Sequence, residues 1–255
     1  MRPHTRQPFN GALCLILLLS MITVPNIFAD EQELWVGRFS SGSKAEIFSD
    51  WQPYLFETIS EHTNYHLVLD QDINVIKATS RAAASGLIRP LDIDLSKYPL
   101  LSWRWKVTQR PSGGDDNKRE NDDHAARIYL IFNAPEPNES KLKWLWRQLS
   151  SNQALNTHAL NYIWAHSAKL NQPIPNPYTA SVMMIPVNRA DVGIGSWIEI
   201  KRNVVADYLA SFGKQPPRLS GIAIMTDTDN SKSQAIAYYG DIKFIAPDNH
   251  TEKTQ

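Results

Sequence analysis

In Leu100-Leu101-Ser102-Trp103-Arg104-Trp105-Lys106-Val107, apolar and polar side chains alternate from Leu101 onward. In an extended strand, successive side chains point to opposite faces. Trp103, Trp105 and Val107 therefore share one side, and Ser102, Arg104 and Lys106 share the other. One side suits a core; the other suits water or a ligand. That division is the pattern of an antiparallel sheet with one covered face.

On either side of this stretch, short runs of the same kind recur between turn-rich segments. Strands are expected over Leu34–Phe39, Tyr65–Asp70, Asn74–Thr79, Ala83–Ile88, Leu100–Val107, Ala126–Phe132, Ala159–Ala165, Ala180–Pro186, Trp197–Ile200, Ser220–Met225 and Gln234–Ile245. Ser41-Gly42-Ser43, Ser112-Gly113-Gly114-Asp115, Ala134-Pro135-Glu136-Pro137-Asn138 and Pro216-Pro217 supply turns between them. No strand–helix–strand rhythm and no internal repeat is present. The expectation is an all-β dominated domain, an antiparallel β-sandwich of jelly-roll type with two short helices. One helix is expected over Lys141–Leu149, with Leu142, Leu145 and Leu149 on one face. The other is expected over Arg202–Phe212, with Val204, Val205, Tyr208, Leu209 and Phe212 on a broad apolar side and Gly213 as its stop.

The 255 residues divide into three parts. Arg2, His4 and Arg6 precede an apolar run, Ala12 to Val24; Pro25 breaks it and Ala29 follows as a small residue. This is the layout of a secretory signal peptide over residues 1–29. The run is short for a membrane span, so no integral membrane segment is expected after leader cleavage. Residues 30–247 read as a single β-sandwich domain, and 248–255 as a polar, disordered tail. The one cysteine, Cys14, lies in the leader, which leaves a mature domain without disulfides. A periplasmic location is expected, with secretion as the alternative. Lys plus Arg and Asp plus Glu both number 26. The balance argues against a nucleic-acid partner, so any recognition by charge must come from a local patch.

Three stretches carry a resemblance. They are Ser102-Trp103-Arg104-Trp105-Lys106-Val107, Asp122-Asp123-His124-Ala125-Ala126-Arg127-Ile128-Tyr129, and Met225-Thr226-Asp227-Thr228-Asp229-Asn230. Together they resemble the exported bacterial family of unknown function DUF3047, over roughly Leu34 to Ile245. The resemblance implies an exported protein and assigns no activity. The closing hairpin, ending Tyr238-Tyr239-Gly240-Asp241-Ile242-Lys243-Phe244, is similar to the last strands of jelly-roll carbohydrate-binding modules.

If Leu100–Val107 and Ala126–Phe132 are neighbours, their polar sides bring Arg104, Lys106, Arg127 and Tyr129 onto one surface. Tyr162 and Trp164 would join the same platform. Arg forks match carboxylate or sulfate groups and aromatic faces match sugar rings, so the expected ligand is a glycan or another envelope polymer. The alternative is a solvated face of cross-strand ion pairs. For a metal, the candidates are Asp227, Asp229 and Asp241. Asp241 matches the place where the similar modules often hold a structural calcium, and no other cofactor is expected. Turn capping by the same acids is the alternative.

Catalysis finds little support. His62 and His66 lack the Glu of a zinc-protease helix, and no nucleophile elbow or phosphate loop is present. The acids cluster in loops, not as a pair across a cleft. One enzyme reading remains, a jelly-roll polysaccharide lyase using Arg104, His124, Arg127 and Tyr129. The third reading is a structural envelope protein that binds another protein, with Trp144 or Trp146 beside Lys141, Lys143 and Arg147 as a contact point.

Overall fold

The computed structural model describes residues 32–132 and 158–247. The expected signal peptide, the Lys141–Leu149 helix with Trp144 and Trp146, and the C-terminal tail fall outside the described residues. Within them, thirteen strands form two sheets, a β-sandwich of jelly-roll type. Sheet A has the order β11-β6-β13-β4-β3, with β1 also on β13: β1 Glu33–Gly37, β3 Asn64–Asp70, β4 Ile73–Arg81, β6 Leu100–Gln109, β11 Ile198–Asn203 and β13 Gln234–Ile245. Sheet B has the order β2-β5-β12-β7-β8-β10-β9: β2 Gln52–Leu55, β5 Ala84–Ile93, β7 Arg127–Phe132, β8 His158–Ala165, β9 Ile174–Pro175, β10 Val182–Arg189 and β12 Leu219–Asp227.

The alternation in β6 is realised as expected. Leu101, Trp103, Trp105 and Val107 enter the core between the sheets. From sheet B, Leu160, Tyr162 and Trp164 of β8 meet them. Trp103 stacks edge-on against Trp105 at 5.4 Å, and tilts against Tyr162 at 5.1 Å; Trp105 reaches Trp164 at 6.3 Å. Two of the three indole N–H groups are satisfied, and that of Trp103 is buried without a hydrogen-bond partner. Trp105 Nε1 donates to Asn188 Oδ1 at 2.8 Å, and Trp164 Nε1 to the Ala190 carbonyl at 2.9 Å.

Strand β13 is the central strand of sheet A, between β6 and β4. Ala235, Ala237 and Tyr239 face inward, and so do Ile242 and Phe244. Three positions separate Tyr239 from Ile242, which strict alternation forbids. The register shifts there, at Gly240–Asp241, so one bulge restores the phase.

Three local features depart from the sequence reading. The pairing is antiparallel except for β8 with β10, which run parallel. Residues 166–181 join them, long enough for the return crossover that a parallel pair needs. A helix, α1 (Lys44–Asp50), was not expected; Ser43 caps it in a reciprocal box with Glu46. The helix expected from Arg202 begins two residues later, as α2 (Val204–Phe212). Arg202 and Asn203 still pair with Leu101 and Leu100 in sheet A. Asn203 then accepts from the Ala206 N–H as the N-cap, and Gly213 ends the helix at φ 68°. Among the described residues, no helix is long and apolar enough to cross a membrane.

The ring stack makes a direct prediction. Trp105→Ala removes a fully buried ring and orphans Asn188, and should cost about 3–5 kcal/mol of folding free energy. Urea unfolding of the variant beside the parent measures this, and a loss under about 1 kcal/mol would show that the stack is not what holds the sheets together.

Candidate functional site

Two of the quoted motifs converge at one end of sheet B. Asp122-Asp123-His124 leads into β7, and β12 runs antiparallel beside it with Met225 opposite Arg127. The pairing carries Asp227 onto the Arg127 guanidinium. Asp227 Oδ1 accepts from Arg127 Nε at 2.9 Å, and Oδ2 from Nη2 at 2.7 Å. The His124 main-chain N–H donates to the same Oδ1 at 2.9 Å. Arg127 Nη2 also reaches Asp122, through its main-chain carbonyl and through Oδ1 at 3.1 Å. Asp123 accepts from the Asn230 and Ser231 N–H groups at 3.1 and 2.6 Å, which pins the loop after β12 to the loop before β7.

Arg127 is 1% exposed. Burial alone would lower its pKa; Asp122 and Asp227 outweigh that and hold the guanidinium firmly charged. Burial raises the Asp227 carboxyl against the downward pull of Arg127, which bonds both of its oxygens. Arg127 Nη1 lies 3.3 Å from the Tyr129 hydroxyl, whose own pKa burial raises. This is a closed ion-pair network, not an open recognition surface.

The expected single platform is therefore divided. β6 and β7 belong to different sheets, so Arg104 and Lys106 do not share a face with Arg127 and Tyr129. Tyr162 and Trp164 point into the core, because the inward phase of β8 starts at Leu160 and takes every second residue. Tyr162 uses its hydroxyl to donate to Asp207 Oδ2 at 2.7 Å. The quartet Arg104, His124, Arg127 and Tyr129 is likewise not gathered on one surface. Of the expected calcium set, Asp227 and Asp229 do meet, together with Asp123, with one oxygen of each within 4.8 Å of the others. Asp241 is not in that group; at the β13 bulge it accepts from the Ser40 N–H at 2.8 Å and from the Ser40 hydroxyl.

A second cluster lies on the outer face of sheet A and keeps Arg104 and Lys106 together. The register sets Lys106 beside Tyr238, Tyr238 beside Lys77, and Lys77 beside His66. Trp197, just before β11, closes the row on the far side. Lys106 Nζ lies 4.5 Å from the Tyr238 ring centre and 5.3 Å from that of Trp197; Lys77 Nζ is 5.6 Å from Tyr238. The Arg104 guanidinium stacks over Trp197 at 4.7 Å. Gly240 makes room for it: a Cβ there would come within 2.6 Å of Arg104 Cγ and Nε.

Asp70 organises this face. It accepts from Lys106 Nζ at 2.6 and 2.7 Å and from Trp197 Nε1 at 2.7 Å. The Lys106 hydrogen bonds hold its carboxyl below the usual range. Lys106 is thereby neutralised and largely covered. Among the described residues, Arg104 donates no hydrogen bond and makes no ion pair, and it is half-buried, with Glu199 opposite it on β11. Trp197 and Tyr238 were not expected in a site. Their signal was present for Tyr238, which alternates outward next to the inward Tyr239.

The chain belongs to the family described as "Protein of unknown function (DUF3047)", which matches residues 49–243. No curated protein matches the sequence. Similar solved structures include the carbohydrate recognition domain of Emp46p, at 10% identity and a TM-score of 0.43, covering 83% of this chain and 95% of that one. A family 30 carbohydrate-binding module of a Clostridium thermocellum cellulosomal cellulase is similar at 12% identity and a TM-score of 0.37, over 78% of this chain and 95% of the module.

The Arg127 network can be tested without a ligand. Asp227→Asn leaves a buried guanidinium short of its counter-charge and should cost about 3–5 kcal/mol. The double change Arg127→Met with Asp227→Leu should cost clearly less than Asp227→Asn alone. Denaturation midpoints of the single and double variants measure the coupling, and equal losses would show that the two groups act independently.

Proposed function

We propose that this chain is an exported envelope protein, of the periplasm in a two-membrane cell, whose sandwich binds an acidic glycan along the outer face of sheet A. The observation that carries the reading is Arg104: a half-buried guanidinium that stacks on Trp197 and makes no hydrogen bond or ion pair to a carboxylate among the described residues, although Glu199 stands opposite it on β11 and Asp70 acts on it through space. A planar fork of donors held against a ring recognises a uronate carboxylate or a sulfate in two-point fashion. Trp197 and Tyr238, spaced across neighbouring strands, supply faces for sugar rings on either side of Lys106.

The face is also organised before any ligand arrives. Asp70 fixes Trp197 through its indole N–H and takes up the charge of Lys106. Less side-chain freedom is then lost on binding, which favours affinity. Lys77, whose ammonium lies over Tyr238, adds a second cation along the row. Export rests on the leader over residues 1–29, and the glycan reading on the geometry of this one face.

Binding of the purified protein to polygalacturonate, alginate and a sulfated glycan, beside a neutral β-glucan, tests the proposal by calorimetry or affinity electrophoresis. Trp197→Ala should weaken binding to the preferred polymer at least tenfold, about 1.4 kcal/mol or more. Arg104→Gln should weaken the acidic polymers to a similar degree and leave a neutral one unaffected. Failure of the parent to bind any acidic polymer, or binding that both variants retain, would overturn the proposal.

A further inference from the structure

The loop between β6 and β7 folds back onto the end of β8. Asp116, within that loop, is fully buried. Its Oδ1 accepts from the His166 N–H at 2.8 Å, and its Oδ2 from the Ser167 and Ala168 N–H groups at 2.8 and 2.7 Å. His124 lies beside it, also fully buried, with Nδ1 at 3.7 Å from Asp116 Oδ1. The rings of His124 and His166 face each other at 5.4 Å and 30°. Gly113 presses on the group from outside: a Cβ there would meet the His166 ring at 2.3 Å.

The geometry points to a binding site for a divalent transition metal of the zinc class, held by Asp116, His124 and His166. One ligand atom from each lies within 4.8 Å of the other two. A common point is then at most about 2.8 Å from all three, and shifts of well under 1 Å bring it to zinc–ligand distances of about 2.0–2.2 Å. Two imidazole nitrogens and one carboxylate oxygen are the donors that zinc accepts. Calcium wants roughly six to eight oxygens and is poorly served by this set.

The hydrogen bonds support the same reading independently. His124 Nδ1 is 3.3 Å from the Trp164 carbonyl, and His166 Nε2 is 2.7 Å from the Asp123 carbonyl. His166 thus has one nitrogen placed to donate to a main-chain oxygen, as the outer nitrogen of a metal-bound histidine usually does, while His124 Nδ1 faces both the Trp164 carbonyl and Asp116 Oδ1. The remaining nitrogens are poorly served. His124 Nε2 is buried without a close hydrogen bond and faces Asp122 Oδ1 at 3.6 Å, and His166 Nδ1 has only Arg110 Nη1, at 3.5 Å. A bare, buried ring nitrogen is costly unless something coordinates it. The charges nearby also favour a dication, since Asp116, Asp122, Asp123 and Asp227 surround the site and Arg127 is the fully buried cation among them.

The metal's role here is structural. It ties the β6–β7 loop, the start of β7 and the end of β8 into one unit, and it lies on the opposite sheet from the proposed glycan face.

Zinc content and zinc, cobalt and calcium titrations of the full exported protein, purified without a polyhistidine tag and stripped with chelator, test the site. About one equivalent of zinc should bind, and cobalt should give visible ligand-field absorption. Saturating zinc should raise the melting temperature by about 5–10 °C. His166→Gln and Asp116→Asn, checked for folding by circular dichroism, should each weaken zinc binding at least tenfold. A parent that binds neither zinc nor cobalt would overturn the site, as would binding that both variants retain. Stabilisation by calcium alone would also overturn it and point instead to Asp123, Asp227 and Asp229.

Discussion

Four rings crossing the gap between the sheets set the terms for everything else. Trp103 and Trp105 project from the middle of sheet A, and Tyr162 and Trp164 from sheet B. Rings of this size bury large apolar areas, and at roughly 25 cal/mol per Å² they dominate the free energy of bringing the sheets together. Once they point inward, the period of two leaves no freedom. Ser102, Arg104 and Lys106 must face out from sheet A, and Asn161 and Ile163 must face out from sheet B. A slip of one residue in β6 would bury Arg104 and expose two tryptophans. The outer chemistry of both faces is therefore a consequence of the core.

The buried ion pair at the end of sheet B answers a different constraint. Arg127 faces outward by phase, yet the loops before β7 and after β12 close over it. A guanidinium removed from water needs nearly all its donors matched. Asp227, Asp122 and the Asp122 carbonyl meet that need in the plane of the fork. An apolar pair of similar volume would give at least as much stability. What the charged pair adds is position. It holds Asp227, the His124 main chain and the β7 start in one arrangement, and the His124 ring is set between Asp116 and Asp122 as a result.

Sequence legibility followed this division. Strands were readable where alternation was strong, as in β6, β7 and β13, because burial of one face writes itself into every second residue. The same logic correctly set Trp103 and Trp105 inward. It could not say which strands were neighbours. Pairing of β7 with β12 joins residues about a hundred positions apart, and nothing local in either segment encodes that partner. Arg127 consequently looked like a surface cation, since outward phase and exposure coincide only where no loop covers the sheet. Tyr162 and Trp164 were misplaced through a choice of phase. Ala159–Ala165 has bulky residues at both parities, Leu160, Tyr162 and Trp164 against Asn161 and Ile163, so alternation alone does not choose. The capping box of α1 was present as Ser43 and Glu46, but its seven-residue helix is too short for a periodic signal.

The outer face of sheet A shows how a site can arise from one acidic residue outside the strand that carries its cations. Without Asp70, Lys106 and Arg104, two positions apart on β6, would repel one another across a shared side of the strand. With it, Lys106 is held at two oxygens and Trp197 at its indole nitrogen. The repulsion on Arg104 falls, and the ring beneath it is fixed. The hairpin joining β3 to β4 brings this acid to the face, and Asp70 is the last residue of β3. Its partners stand 36 and 127 positions further along the chain. The Arg104 guanidinium is thus the group on which the face can spend its binding energy, since its neighbours Lys106 and the Trp197 indole already have Asp70 as acceptor.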